Sequence, residues 1–317
     1  MASGSQTKNG KAVEYAFLLS FKRNLEAKQK VSVLSSRQLD TAASFYHSFP
    51  KTDQDEMDIA ADAGVKTIIR LEPKLITGQQ PLTLTIQHDS KGQEGDVRDV
   101  VAIRSAEGWD VGVSCKNNHN AVKHSRLSAT IDVGKSWFGF SSSQDYFDTV
   151  IPLYSELAEM KEKKLKWNQV ENKVDRYYYP ALQALIDELN RLDKTHPGEI
   201  PKRLLSYLLG RNDFYKAILQ RRSQYTEIQG FNLYGTLNQT AENIKPQLKM
   251  PKLKLPNKFY DIHFIEGSKN KILIVMDNGW MIRMRIHNAS SKVEKSLKLD
   301  VRLEGLPPTL YHHVESW

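Results

Sequence analysis

Gly95-Asp96-Val97-Arg98-Asp99-Val100-Val101-Ala102-Ile103-Arg104, followed after a Glu107-Gly108 turn by Trp109-Asp110-Val111-Gly112-Val113-Ser114-Cys115-Lys116, is the stretch on which the reading of this chain turns. Each part is a short apolar run bounded by turn residues, and so each reads as a strand. Side chains alternate across a strand. If the first strand begins near Asp99, then Asp99, Val101 and Ile103 share one face, while Asp110, Gly112, Ser114 and Lys116 share a face of the next. Laid antiparallel across the short turn, the two runs bring acids and a lysine toward one cleft.

Working outward, residues 82–87 alternate with period two and add a third antiparallel strand. Residues 10–21, 36–49 and 53–63 carry apolar positions at helical spacing, with Pro50 and Gly64 as stops. Helical character is expected again at 120–128, throughout 154–192 with a Lys-rich stretch at 161–166, and at 201–224 as a helix pair broken near Gly210. Residues 245–258 hold five lysines separated by Pro246, Pro251 and Pro256, which exclude a regular helix and predict an extended basic arm. Beyond it, 259–265, 271–276 and 281–286 alternate like strands around an Asp277-Asn278-Gly279 turn. The expected class is α/β (α+β): a mixed central sheet flanked by helices, a helical middle region and a C-terminal sheet extension. The expected division is 1–150 for the core, 151–244 for the helical region, and 245–317 for the basic arm with the β-rich element.

The chain of 317 residues carries 45 Lys+Arg against 37 Asp+Glu, a formal net charge of +8 that suits a polyanionic partner without requiring one. A lone cysteine, Cys115, excludes an intrachain disulfide and a Cys-rich zinc cluster. It alternates away from Ser114 and Lys116 and is expected to pack inward. No signal-peptide pattern or membrane span is visible, which predicts a soluble cytoplasmic protein with no membrane partner.

Phosphodiester hydrolysis needs a metal to offset charge on the phosphoryl oxygens and a positive group to steady the attack. Carboxylates among Asp96, Asp99 and Asp110 can bind Mg²⁺, and Lys116 can supply the positive charge. The same residues also fit a plain structural reading, with Asp96 and Asp99 flanking a turn, Asp110 capping a hairpin and Lys116 on the surface. Favouring function is the density of hydrogen-bonding side chains in Lys116-Asn117-Asn118-His119-Asn120, which lies just before Lys123, His124 and Arg126. His119 can contact phosphate, order a water or cap the helix expected after it.

The chain resembles the HaeIII family of type II restriction endonucleases, within the nuclease superfamily whose core motif is Pro-Asp followed by Asp/Glu-x-Lys. The resemblance is carried by Glu14, by Gly95-Asp96-x-x-Asp99, by Asp110 through Lys116 and on to Leu127, and by Arg285-Ile286-His287-Asn288-Ala289-Ser290-Ser291-Lys292-Val293-Glu294. It implies a PD-(D/E)xK-type core in which Asp99 is the first motif acid, with Asp96 as its alternative, and Lys116 is the motif lysine. Ser114 stands where the superfamily places an acid. Its absence is to be made good by Glu14 from the first helix or by Asp110, although two strand steps put Asp110 about 13 Å from Ser114.

The same resemblance implies Mg²⁺-dependent double-strand cleavage at GGCC, a homodimer on palindromic DNA and a cognate DNA methyltransferase as functional partner. A DNA-repair or RNA-processing nuclease and a non-catalytic DNA-binding protein are the alternatives. Guanine is read in the major groove by Arg or Lys. Arg283, Arg285, His287, Asn288, Ser290, Ser291 and Lys292 supply such chemistry, with Asn117, Asn118, Asn120, Lys123 and Arg126 as further DNA contacts. Lys252 and Lys254, spaced by prolines, are expected to hold phosphates.

Overall fold

The computed structural model describes residues 2–78, 81–88, 90, 95–118 and 121–317. They form two compact units, each assembled from separated segments. Unit 1 takes Met1–Asn120, Gly210–Leu253 and Thr309–Trp317, and unit 2 takes Ala121–Leu209 and Lys254–Pro308. The expected division into three consecutive pieces differs from this because the strand following Lys116 and the strand following Gly210 belong to different sheets.

In unit 1 the chain begins with α1 (Ala2–Glu26), then β1 (Val31–Val33), α2 (Arg37–His47) and α3 (Lys51–Leu71). Ser36 caps α2, its Oγ accepting from Leu39 N at 3.2 Å. The helix expected at 53–63 is longer and runs through Gly64, because Met57, Ala60, Ala61, Val65, Ile68 and Leu71 continue one buried stripe. The strands β2 (Leu82–Ile86), β3 (Val100–Arg104) and β4 (Trp109–Asn117) form the expected antiparallel ladder. Among the described residues this ladder is part of a seven-stranded sheet in the order β1-β2-β3-β4-β6-β7-β12, where β6 is Phe214–Gln220, β7 is Tyr225–Phe231 and β12 is Tyr311–Ser316. The β1–β2 and β4–β6 pairs are parallel, so the sheet is mixed as expected. Ala12, Val13, Ala16, Phe17 and Phe21 of α1 are buried in the same cluster as Val111, Val113 and Cys115 of β4, so α1 covers that face of the sheet.

Residues 214–220, expected to be helical, are a strand. Phe214-Tyr-Lys-Ala-Ile-Leu is buried on both faces, and such a run lacks the alternation that marks a half-exposed strand. Residues 121–127 likewise form a strand, β5 (Ala121–Leu127), rather than a helix. Its place is set by backbone pairing with a strand some 170 residues later, which local spacing does not report. The basic stretch from 245 to 253 has no regular secondary structure, as its prolines require, but it is strapped down. Asn238 Oδ1 accepts from Met250 N at 2.8 Å, Leu253 N donates to Asn232 O at 2.8 Å, and Met250 and Leu253 are buried.

Unit 2 contains α4 (Gln144–Glu162), α5 (Tyr179–Thr195) and α6 (Ile200–Leu209). Its sheet runs β5-β11-β10-β9-β8, with β8 Phe259–Phe264, β9 Lys271–Met276, β10 Met281–His287 and β11 Leu297–Gly305. Ile272, Ile274, Ile282, Met284, Ile286, Leu297, Leu299 and Val301 are fully buried on one face.

One buried acid in unit 1 ties stability to pH. Glu72 Oε1 accepts from Tyr215 Oη at 2.5 Å and from Asn238 N at 2.7 Å, yet burial pushes its carboxyl up to about 7 from the ordinary 4.5. Between these values the folded chain keeps a proton that the unfolded chain has released, so stability falls as pH rises through that window, by about 3 kcal/mol for this group. Glu72→Gln is expected to flatten the decline. Thermal melts of both proteins from pH 4.5 to 8 check it, and parallel curves would count against the assignment.

Candidate active site and the charged strand face

Asp99 immediately precedes β3, and its backbone N–H donates to Val113 O at 2.8 Å, which sets it opposite Ser114 on β4. The carboxylate then collects donors. Asp99 Oδ2 accepts from Cys115 N at 2.7 Å, from Ser114 Oγ at 3.3 Å and from Lys116 Nζ at 3.3 Å. The strand parity predicted for Asp99, Ser114 and Lys116 therefore brings these three together. Burial works against the Lys116 charge, but the Asp99 carboxylate outweighs it and holds the ammonium above the usual lysine value. Cys115 lies in the core beneath, and burial pushes its thiol well up, so it packs rather than reacts.

Glu14 joins this group from α1. Burial, reinforced by the Asp99 charge, pushes its carboxyl up to about 8, against the pull of Lys11 and Lys116. Lys11, one helical turn earlier, lies with Nζ 3.0 Å from Glu14 Oε2. Two acids and two lysines thus gather where β4 meets α1. Lys11 was not singled out from the sequence. The signal was its three-residue spacing from Glu14, which puts both on one side of the helix.

Asp96 and Asp110 are committed elsewhere. Arg98 grips Asp96 through Nε–Oδ1 and Nη2–Oδ2 contacts of 2.8 Å each, and Arg98 Nη1 reaches Asp110 Oδ1 at 2.5 Å. Burial opposes ionisation of Asp96, but this guanidinium holds its carboxyl below the usual range. The guanidinium stem lies flat over Gly112, where a Cβ would come within 2.3 Å of Arg98 Cδ. Asp110 pairs with Ile103, far down β4 from Ser114, as the strand spacing requires. Neither acid stands beside Asp99 as a replacement for the acid that Ser114 lacks.

The HaeIII restriction endonuclease family model matches residues 10–307. The type II restriction enzyme HaeIII of Haemophilus aegyptius is 38% identical over 308 residues, covering 97% of this chain and 97% of that enzyme. The chain belongs to the HaeIII restriction endonuclease family. No solved structure matches it. The family resemblance, the mixed sheet flanked by helices and the nuclease activity expected from the sequence all stand on these matches, and double-stranded DNA is the substrate.

Family membership implies use of a divalent metal. Among the described residues no group of three or more His, Cys, Asp and Glu side chains is arranged to hold a metal ion, and no helix is long and apolar enough to cross a membrane. Asp99 and Glu14 are the acids that could hold such an ion, since carboxylate oxygens suit a hard divalent cation while Asp96 and Asp110 are taken up by Arg98.

In this family member the DNA-contact expectations divide sharply. On β10, Arg283, Arg285 and His287 do face away from buried Ile282, Met284 and Ile286. The register sets Arg283 beside Arg302 and Arg285 between Lys271 and Asp300, so Lys271, Arg283, Arg285, Asp300 and Arg302 line one depression. Arg283 Nε pairs with Glu304 at 2.8 Å, and Asp300 Oδ2 receives Arg285 Nη2 at 2.8 Å and lies 3.0 Å from His287 Nε2. Arg302, Lys271 and Asp300 were missed, although Leu297-Lys-Leu-Asp-Val-Arg-Leu-Glu alternates strictly.

Asn288 is a loop organiser. It is buried, and its amide bonds Ser290 O and Lys292 O while its Oδ1 accepts from Glu294 N. Ser290 Oγ donates to Lys292 O, Ser291 O accepts from Trp167 N, and Lys292 forms a bridge with Lys166, so these residues build the loop. Arg126 is exposed and donates to Ser296 Oγ at 2.9 Å. Asn117 and Asn118 close β4, with Asn118 Nδ2 donating to Asn117 Oδ1 and Asn118 N to Leu219 O. Lys123 pairs with Val301 through the backbone of β5. Lys252 is exposed, its stem beside Gly235, and Lys254 O accepts from Trp280 Nε1 at 2.7 Å. His119 and Asn120 lie outside the described residues.

Proposed function

We propose that this chain is a Mg²⁺-dependent type II restriction endonuclease that makes double-strand cuts at GGCC, acting in the cytoplasm as a homodimer beside a cognate DNA methyltransferase. The observation that carries the reading is the Asp99 carboxylate receiving Ser114 Oγ, Cys115 N and Lys116 Nζ with Glu14 close by. Asp99 and Glu14 hold the metal. When bound, the ion offsets negative charge on the phosphoryl oxygens and lowers the pKa of a water. Ser114 and the Cys115 N–H fix the Asp99 oxygen that remains turned to the strand, which supports a motif position lacking its own acid. Lys116 presents a charged ammonium to the attacked phosphate and stabilises the added charge of the transition state. Unit 1 cuts, and the β9–β10–β11 face of unit 2 reads bases.

Incubation of the purified protein with plasmid DNA, with and without Mg²⁺, tests this. Discrete fragments ending at GGCC are expected only with the metal; random degradation leaves the nuclease but removes the specificity, and intact DNA under every divalent ion sinks the enzyme.

The specificity assignment has its own expected result. Arg285→Ala should lose preference for the cognate duplex by about 1–3 kcal/mol, because a guanidinium paired to guanine discriminates by that amount. Lys252→Ala should weaken cognate and scrambled duplexes alike and lower the salt slope by about one. Titrations at several salt concentrations separate the two, and equal loss on both duplexes for Arg285→Ala moves that residue to a phosphate contact.

A further inference from the structure

On the outward face of the unit 2 sheet, Asp300 of β11 lies in a depression among Lys271, Arg283, Arg285 and Arg302. A carboxylate there repels phosphate, and on a face that meets a polyanion it lowers affinity for every duplex, whatever its sequence. Its contribution is therefore to be sought in something other than affinity. The register sets Asp300 directly opposite Arg285, and its Oδ2 accepts from Arg285 Nη2 at 2.8 Å. The same oxygen lies 3.0 Å from His287 Nε2, and Oδ1 lies 3.6 Å from Lys298 Nζ, so side chains from both strands converge on this one acid. The Asp300 side chain is 16% exposed and that of Arg285 is 48% exposed, which places the acid deeper than the guanidinium it holds.

We propose that Asp300 is a positioning residue for sequence recognition: it holds the Arg285 guanidinium in the orientation that meets guanine and keeps it off the phosphates, giving up general affinity for discrimination. The inference rests on the reading of the β9–β10–β11 face as the surface that reads bases. A guanidinium is a planar fork with five N–H groups. Asp300 engages Nη2, which carries two of them, so the pinned group still presents an N–H edge to a ligand. Without that anchor, the long stem lets the charge swing to the nearest phosphate, and a phosphate contact carries no sequence information. Anchoring from below fixes the plane of the fork before DNA arrives, which is what a paired contact to guanine requires.

Equilibrium binding in Ca²⁺ to a GGCC duplex and to a scrambled one tests this. Asp300→Asn keeps the shape and removes the charge, and it is expected to bind the scrambled duplex about two- to threefold more tightly than the wild type, since one repulsion of phosphate is gone. Its preference for the GGCC duplex is expected to fall about tenfold. A damaged fold lowers both affinities and does not produce that opposed pair of changes. In the Arg285→Ala protein, adding Asp300→Asn is expected to leave the remaining preference unchanged, because the group it positions is gone. Thermal melts confirm that each variant is folded, and Asp300→Ser takes the place of Asp300→Asn if the latter does not fold. Preference retained in Asp300→Asn, weaker binding of both duplexes, or an equal loss of preference in the double variant overturns the proposal. Arg285→Ala alone separates the two levels: if it keeps the full preference, the base-reading assignment of this face fails, whereas preference lost there and kept in Asp300→Asn fails the positioning role alone.

Discussion

Lys116→Ala is expected to cut the rate of DNA cleavage by about a thousandfold while leaving affinity for the duplex within a few-fold of wild type. The ammonium is poised at the Asp99 carboxylate, 3.3 Å away, and is held charged there. A preorganised positive group acts on charge that develops only in the transition state, and loss of one such donor typically costs about 10²–10³ in rate. Ground-state binding spreads over many phosphate contacts, so one missing cation matters little. Single-turnover cleavage in Mg²⁺ and duplex binding in Ca²⁺ measure the two quantities separately. A parallel fall in rate and affinity would place Lys116 among the phosphate contacts.

The second large effect concerns stability. Gly210 adopts φ 87°, and a Cβ there would lie 2.4 Å from Gly95 O, the same carbonyl that accepts from Arg211 N at 2.9 Å. Both the backbone strain and the clash fall on main chain, which cannot turn aside as a side chain can. Gly210→Ala is therefore expected to cost about 3 kcal/mol of folding stability. The affected segment leads from Gly95 directly to Asp99, so cleavage should fall further than the folded fraction does. Denaturant unfolding followed by circular dichroism, with cleavage assayed where both proteins are folded, checks this; wild-type stability would mean the turn accommodates a side chain by shifting whole.

Alternation is the property through which the sequence pointed to the candidate site. Parity alone places Asp99, Ser114 and Lys116 on one side of a ladder, and the same rule turns Arg283 and Arg285 outward on β10, where a buried face alternates with a more exposed one. Phe214–Gln220 carries no such signal, being buried on both sides, and its spacing passes for helix. Asp96 and Asp110 look as suitable for metal as Asp99, and what separates them is Arg98, an arginine between two acids whose aim depends on the bare Gly112 beneath it. Asn288 has the right chemistry for reading a base, yet its amide is consumed by its own loop. Side-chain type sets what each group can do, while the competition among neighbours decides what it does.

The parallel pairing of β4 with β6 matters for a cell that has to make this nuclease. Val113–Asn117 waits for Tyr215–Leu219, about a hundred residues downstream, and contacts so distant in sequence form late. While the ribosome is still within the helical middle region, the strand bearing Lys116 has an open edge, and the sheet that frames the candidate site is half built. A polypeptide interrupted there carries Asp99 and Lys116 without the finished sheet around them. The uncovered edge of such fragments makes them substrates for aggregation and for the chaperones and proteases that remove incomplete chains.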